Sequence, residues 1–337
     1  MTLFLRHVLK KKFFLARKIV TGLLTYNPSL SEMLMRLRES LTGHSSRQVA
    51  VATAPYCYAV WMRHLLQWHT TGTVRFPEAV AEIGPGNSLG VGLAALLSGV
   101  DRYYALDAVT QVDFQKNRDI LEGLVELFAD KTRIPAHDVY PDLGPPLPSY
   151  DFPDHILPDI RLRVSLNAKR LDRIRRNLQS MSSQENNGML IYITPWSGAL
   201  PSEMLESVDW ILSQFVMEHV DDLPVAYEQF YDLLKPGGCM THHIDFQSHW
   251  TAYEWNGYWT YEDRTWRMIR GRRPYFINRM PLSEHLSCTR RAGFEVLHLI
   301  KTKCDSGISP NQLARRFRNL SVDDLQTIEA MIVARKP

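Results

Sequence analysis

Two groups of residues in this chain have the types and spacing to do chemistry. The first is the turn Glu82-Ile83-Gly84-Pro85-Gly86-Asn87-Ser88-Leu89-Gly90, which joins an apolar run, EAVAEIG (78–84), to an apolar helix-forming stretch, SLGVGLAALLS (88–98). Glycine has no Cβ, so such a turn lets backbone come close to a ligand, and the helix behind it offers its N-terminal amides. A dinucleotide GxGxxG fingerprint needs glycine at position 89, where Leu89 stands. Asp107 ends the next apolar run, RYYALD (102–107), and lies 21 residues beyond Gly86. A carboxylate there can accept two hydroxyl hydrogen bonds.

The second group is HHIDFQSHW, with His242, His243, Asp245 and His249, preceded by His219. Strand alternation puts His243 and Asp245 on one face and His242 on the other. An alcohol barely ionises at neutral pH, and histidine suits the task of taking its proton. His243, His219, Asp245 and His249 are therefore the candidate catalytic set. Two imidazoles and a carboxylate (His243, Asp245, His249) also have the chemistry to hold Mg²⁺ or Mn²⁺, and the same histidines read equally as structural. Directly after them comes WTAYEWNGYWTYEDRTWRMIRGRRPYF (250–276), in which four of the eight tryptophans fall within 250–266. Rings interleaved with polar groups suit a sugar, stacking on its CH faces while the polar groups read its hydroxyls. Trp255, Tyr258, Trp259, Asn278 and Arg279 are the expected acceptor contacts; an aromatic minicore under a lid is the competing reading.

These groups need elements to hold them. The runs 78–84, 102–107, 188–194, 208–216, 238–246, 294–303 and 330–335 read as strands, with helices over 88–98, 223–235 and 282–291 between them. Such alternation implies an α/β fold, a doubly wound, mostly parallel sheet. Residues 1–75 read as a helical N-terminal region, with helical patterns over 1–40 and 49–70, and 76–337 as the main domain. Within it, 108–187 shows no clear strand, carries a Pro-rich run (141–158) and ends in a basic helix, KRLDRIRRNL (169–178); it reads as a helical insertion over the sheet. Arg170, Arg173, Arg175 and Arg176 read as a solvated face or as contacts for an anionic substrate. Residues 247–281 form the aromatic acceptor segment.

Composition narrows the partners. Of 337 residues, 45% are hydrophobic and 22% charged, which excludes a disordered or collagen-like chain. Thirty-nine Lys and Arg against 36 Asp and Glu are too even for a nucleic-acid binder. Cys57, Cys239, Cys288 and Cys304 show no zinc spacing and read as reduced thiols of a cytoplasmic protein. The basic excess is local: residues 1–20 mix Lys10, Lys11, Lys12, Arg17 and Lys18 with apolar side chains and contain no acid. Such a segment packs on its own domain or lies on an anionic membrane surface.

Three blocks in order carry a resemblance. Glu82-x-Gly84-x-Gly86 is similar to the (Asp/Glu)-x-Gly-x-Gly motif of class I S-adenosylmethionine-dependent methyltransferases. SVDWILSQFVMEHVDDLPVAYEQFYDLLKPGG (207–238) resembles their FDxVxxxxxxEHV block with its following helix and LxPGG, and Ala292-Gly293-Phe294 opens the penultimate strand as it does there. The resemblance implies a seven-stranded Rossmann-like sheet and S-adenosyl-L-methionine as cofactor. It implies that Glu82, Gly84, Pro85, Gly86 and Asn87 abut the amino-acid part of the cofactor and that Asp107 binds the ribose. It also implies that Thr194 and Trp196 of YITPW, with Ser213 and Gln214, stand beside the cofactor. The HHID…SH…W…NR arrangement resembles methyltransferases of bacterial surface-polysaccharide systems. That implies O-methylation of a sugar on a glycan or lipid-linked glycan. A small lipophilic acceptor (quinone or phenolic) would use the same aromatic pocket, and a non-catalytic binding module is disfavoured by the intact motifs.

Overall fold

The computed structural model describes residues 2–27, 29, 53–141, 143–180, 188–196 and 202–337. The expected helical continuation over 30–40, the start of the second helical pattern at 49–52 and the end of the insertion at 181–187 lie outside the described residues.

Helix α1 (Thr2–Leu24) and helix α2 (Ala54–His69) precede the sheet. Strand β1 (Ala79–Ile83) is buried along its whole length, as a central parallel strand must be, and runs through the glycine turn into α3 (Gly90–Leu97). Strand β2 (Arg102–Leu106) follows, then α4 (Phe114–Ala129), α5 (Asp159–Ser165) and α6 (Ala168–Ser180), then β3 (Leu190–Ile193) and β4 (Val208–Gln214). Helix α7 (Leu223–Leu233) starts on an Asp222 cap that accepts from the Val225 amide, and β5 (Leu234–Asp245) leaves it at once. This strand begins earlier than the 238 expected, because Leu234 already pairs with Val208 ahead of an irregularity. Helices α8 (Asp263–Arg270) and α9 (Leu282–Arg291), strand β6 (Glu295–Lys303), helix α10 (Val322–Gln326) and strand β7 (Thr327–Arg335) complete the chain.

The sheet order is β3-β2-β1-β4-β5-β7-β6, with β7 antiparallel to both neighbours and the other pairings parallel. Connections leave β1 toward β2 on one side and β4 lies on the other, so the order reverses at the C-terminal end of β1, where α/β sheets bind ligands. One core, with Trp61, Tyr103 and Trp210, lies on the face covered by α2, α3 and α4. A second, with Tyr227, Phe230 and Met240, lies under α7 and α9. Helix α2 is therefore part of the sheet's own core. None of the four cysteines forms a disulfide, and Cys57, Cys239 and Cys288 are buried.

The stretch 108–187 is helical in α4, α5 and α6; of the arginines on α6, Arg170 and Arg175 are tied to the protein while Arg173 and Arg176 are exposed. Arg170 donates to the carbonyls of Leu96 and Val100, and Arg175 makes a two-pronged ion pair with Glu122 (2.8 Å for each bond). These contacts staple α6 to α3 and α4, which removes Arg170 and Arg175 from the anionic-substrate reading.

Candidate active site

The glycine turn sits at the reversal point of the sheet. Gly84 and Gly86 have φ of +66° and +67°, left-handed values that a side chain would strain. A Cβ on Gly84 would stand 2.7 Å from the Val216 side chain, whereas one on Gly86 would meet nothing within 4 Å. The Gly86 backbone is thus bare toward a cavity of about 420 Å³ lined by Glu82, Gly84 to Ser88, Gln111, Gln214, Phe215, Val216 and, from α2, Tyr56, Cys57 and Val60. Asp107, at the end of β2, accepts from the Gly86 amide (3.1 Å) and from the Ala108 amide (2.7 Å). Burial raises its carboxyl while those two amides hold it down. Glu82 is buried and accepts from the Tyr103 hydroxyl (2.5 Å); burial pushes its pKa up to about 8. A bare main-chain cradle, an anchored acid on the next strand and an open cavity fit an adenosyl amino acid.

The predicted cofactor residues divide. Glu82, Gly84, Pro85, Gly86, Asn87 and Gln214 line the cavity, with Asp107 bonded to its floor. Ser213 does not: alternation turns it through the sheet, where it is buried against His242 Nδ1 (2.8 Å). Trp196 does not cover an open face; it is buried and stacks on Phe230 of α7 (5.7 Å between ring centres). Thr194 lies outside the cavity lining as well. Sequence reasoning missed Tyr56 and Cys57. The signal was Gly90, where an added Cβ would stand 2.3 Å from Cys57 Sγ: α2 crosses α3 against a glycine and so reaches the cavity.

Beyond β5 the histidines separate into two sets. His243 is buried, its Nδ1 bonded to Gln214 Nε2 (3.0 Å) and its Nε2 3.3 Å from Glu329 of β7. Phe215, held at φ +55°, lies against its ring (4.5 Å), and the Pro-rich run covers it at Gly144. Both ring nitrogens are engaged, which corrects the expectation that His243 presents a lone pair to a substrate. His249, at φ +45°, instead turns outward from the strand end. Its Nε2 donates to Asp245 Oδ2 (2.9 Å), and Asp245 Oδ1 accepts from the Gln247 amide (2.7 Å). Nδ1 of His249 is then the acceptor nitrogen. His219 stands beside it (5.3 Å between rings), its Nδ1 donating to the Tyr275 carbonyl (2.9 Å); burial and the neighbouring His249 lower its pKa to about 4.

The suggested metal set His243, Asp245 and His249 does not converge, since His243 turns to Glu329 while Asp245 holds His249. Among the described residues no three His, Cys, Asp or Glu are grouped to hold a metal ion.

Asp245, His249, Trp250, Tyr253, Glu254 and Trp255 line a second cavity of about 330 Å³. Trp250 is 75% exposed at φ +60°, and Trp255 is partly buried with its indole N–H on the Ser306 carbonyl. The other expected acceptor contacts are interior. Tyr258 and Trp259 are fully packed with Trp266, Ile269 and Phe317 in a third core. Arg279 is buried over Trp266 and Phe317, bonded to the Tyr261 carbonyl and Asp263. Asn278 spends its amide N–H groups on the carbonyls of Met217 and Val220, tying the aromatic segment to the end of β4. The segment is therefore a minicore below and a cavity wall above.

The strand order with its reversed β7, and the glycine cradle facing an acid on the next strand, define a class I S-adenosylmethionine-dependent methyltransferase. A family model described as a methyltransferase domain matches residues 105–299, more than half of the chain, and the chain belongs to that family. No protein of curated function matches significantly. Similar solved structures include an S-adenosylmethionine-dependent methyltransferase from Mesorhizobium loti (13% identity, 80% of this chain and 97% of that one, TM-score 0.38). Another is an S-adenosylmethionine-dependent methyltransferase from Methanosarcina mazei (11%, 80% and 96%, TM-score 0.41). A third is phosphoethanolamine N-methyltransferase 2 of Haemonchus contortus with S-adenosyl-L-methionine (13%, 88% and 61%, TM-score 0.40).

Proposed function

We propose that this methyltransferase O-methylates a hydroxyl of a sugar, carried on a glycan or lipid-linked glycan, with His249 as general base and Asp245 orienting it. The observation that carries this reading is the Asp245–His249 pair opening into a cavity walled by Trp250, Trp255 and Glu254. When bound, the cofactor supplies an electrophilic methyl on a cationic sulfur. Gly84, Gly86 and Asp107 would hold it at the end of β1. Nδ1 of His249 would take the proton of the acceptor hydroxyl, and Asp245 would stabilise the imidazolium that results. The Trp250 face and the polar groups Gln247 and Glu254 suit a ring with apolar CH faces and equatorial hydroxyls.

The reading places the enzyme in the cytoplasm and gives the proton-accepting role to His249. Its test is His249→Ala, which lowers kcat ~10²–10⁴-fold with S-adenosylmethionine affinity unchanged, the range for a positioned base. Asp245→Asn reproduces part of that loss. Full turnover in both variants, with activity lost instead in His219→Ala, would move the base to His219.

A further inference from the structure

Helix α1 has two faces that differ in kind. One packs on the domain. Gly22 is buried where α1 crosses α8, so close that an added Cβ would stand 2.0 Å from the Met268 carbonyl oxygen. Leu15 and Ile19 pack on the third core, Phe14 meets Tyr253 edge-on (6.2 Å), and Lys11 pairs with Glu254. The other face carries Leu9 (57% exposed), Phe13 (75%), Val20 (54%) and Leu23 (47%), with Ala16 between them. At about 100° per residue these five fall within an arc of about 80°, whose centre lies about 120–140° around the helix from Leu15 and Gly22. Exposed Lys10 and Arg17 flank the arc on one side and Lys12 on the other. The helix contains no acidic residue. Arg272 adds a further charge at its C-terminal end, over Tyr26 (5.2 Å).

A stripe this apolar, left open between basic borders, matches a surface that is apolar within and anionic at its edge. We propose that α1 docks on an anionic phospholipid membrane, laying Leu9, Phe13, Val20 and Leu23 into the boundary between headgroups and acyl chains while Lys10, Lys12 and Arg17 meet the lipid phosphates. The helix lies on the bilayer and does not cross it, since no helix among the described residues is long and apolar enough to span. A protein partner would need an acidic groove around an apolar floor; a bilayer offers both over any length. Through Phe14 and Lys11 the same helix holds Tyr253 and Glu254, so the second cavity is fixed to the membrane-bound element whatever acceptor it takes.

The test is flotation of the full chain with vesicles of phosphatidylcholine plus phosphatidylglycerol, compared with phosphatidylcholine alone. The wild type floats with the anionic vesicles, and raised salt weakens the binding by screening the basic border. The double variant Phe13→Glu, Val20→Glu loses at least about tenfold in vesicle affinity, and Lys10→Glu, Lys12→Glu loses roughly fivefold or more for each charge. All four positions are exposed, so circular dichroism and S-adenosylmethionine binding stay unchanged in both variants. Asp107→Ala floats like the wild type, which separates this surface from the catalytic reading. Absence of flotation, flotation equal on neutral vesicles, or undiminished flotation of Phe13→Glu, Val20→Glu overturns the proposal. A wild-type dimer that the double variant dissociates, without vesicle binding, would assign the stripe to a second copy of the chain and overturn it too.

Discussion

The cavity at the end of β1 is lined in part by main chain, with the backbone of Gly86 bare toward it, carried at a strand end and pinned by Asp107. The cavity beyond β5 is walled by side chains from the last residue of that strand, Asp245, and from the loop after it, His249, Trp250, Glu254 and Trp255, two of them in left-handed backbone. Main chain can approach a ligand only where no Cβ stands, so the first cavity leaves a mark on the sequence at fixed positions. Side chains can build the second from many residue types, and their order along the chain says little about which of them look outward.

The sharpest way to break this comparison is inside the aromatic segment. Trp259→Ala should remove ~3–5 kcal/mol of stability, because a fully packed indole leaves a cavity in the third core; a melting midpoint within a degree or two of wild type would return Trp259 to the acceptor wall. A smaller effect is expected in the main-chain half. Asp107→Ala should weaken S-adenosylmethionine by ~1–3 kcal/mol, measured by calorimetry, through lost hydroxyl contacts and the loosened Gly86 amide. Smallest is Trp250→Ala, which should raise the acceptor KM by the equivalent of ~0.5–1.5 kcal/mol and leave melting untouched, since the ring is exposed. An unchanged KM would leave the cavity without its stacking face.

The seven strands and the glycine cradle were legible because burial and the missing Cβ both constrain residue type locally. His243 and His249 show where that stops. Alternation put His243 on the correct face, but what hides it is Glu329 from β7, Phe215 from the end of β4 and the Pro-rich run at Gly144, none of them neighbours in sequence. His249 lies past the strand, aimed by a left-handed turn that strand alternation does not describe. Tyr258, Trp259 and Arg279 were misjudged for a related reason. Tyr258 and Trp259 pack from a single 3₁₀ turn (Gly257–Thr260) and Arg279 from a loop, runs too short for burial to show a period. Trp196 was placed beside the cofactor from its position after β3, yet its ring is claimed by Phe230 on α7.

Burial has one more effect in the main-chain half. Burial pushes the Glu82 carboxyl up to about 8, favouring its neutral form although it lines the cofactor cavity. A cationic ligand placed beside it favours the carboxylate, so binding and ionisation become one event, and a proton leaves for solvent between the free carboxyl's ordinary range and about pH 8. Calorimetry in buffers of different ionisation enthalpy should register that proton when S-adenosylmethionine binds, and less of it for S-adenosylhomocysteine, whose sulfur is uncharged. S-adenosylmethionine would then bind more tightly as pH rises toward about 8, while S-adenosylhomocysteine, which releases less of that proton, would change less.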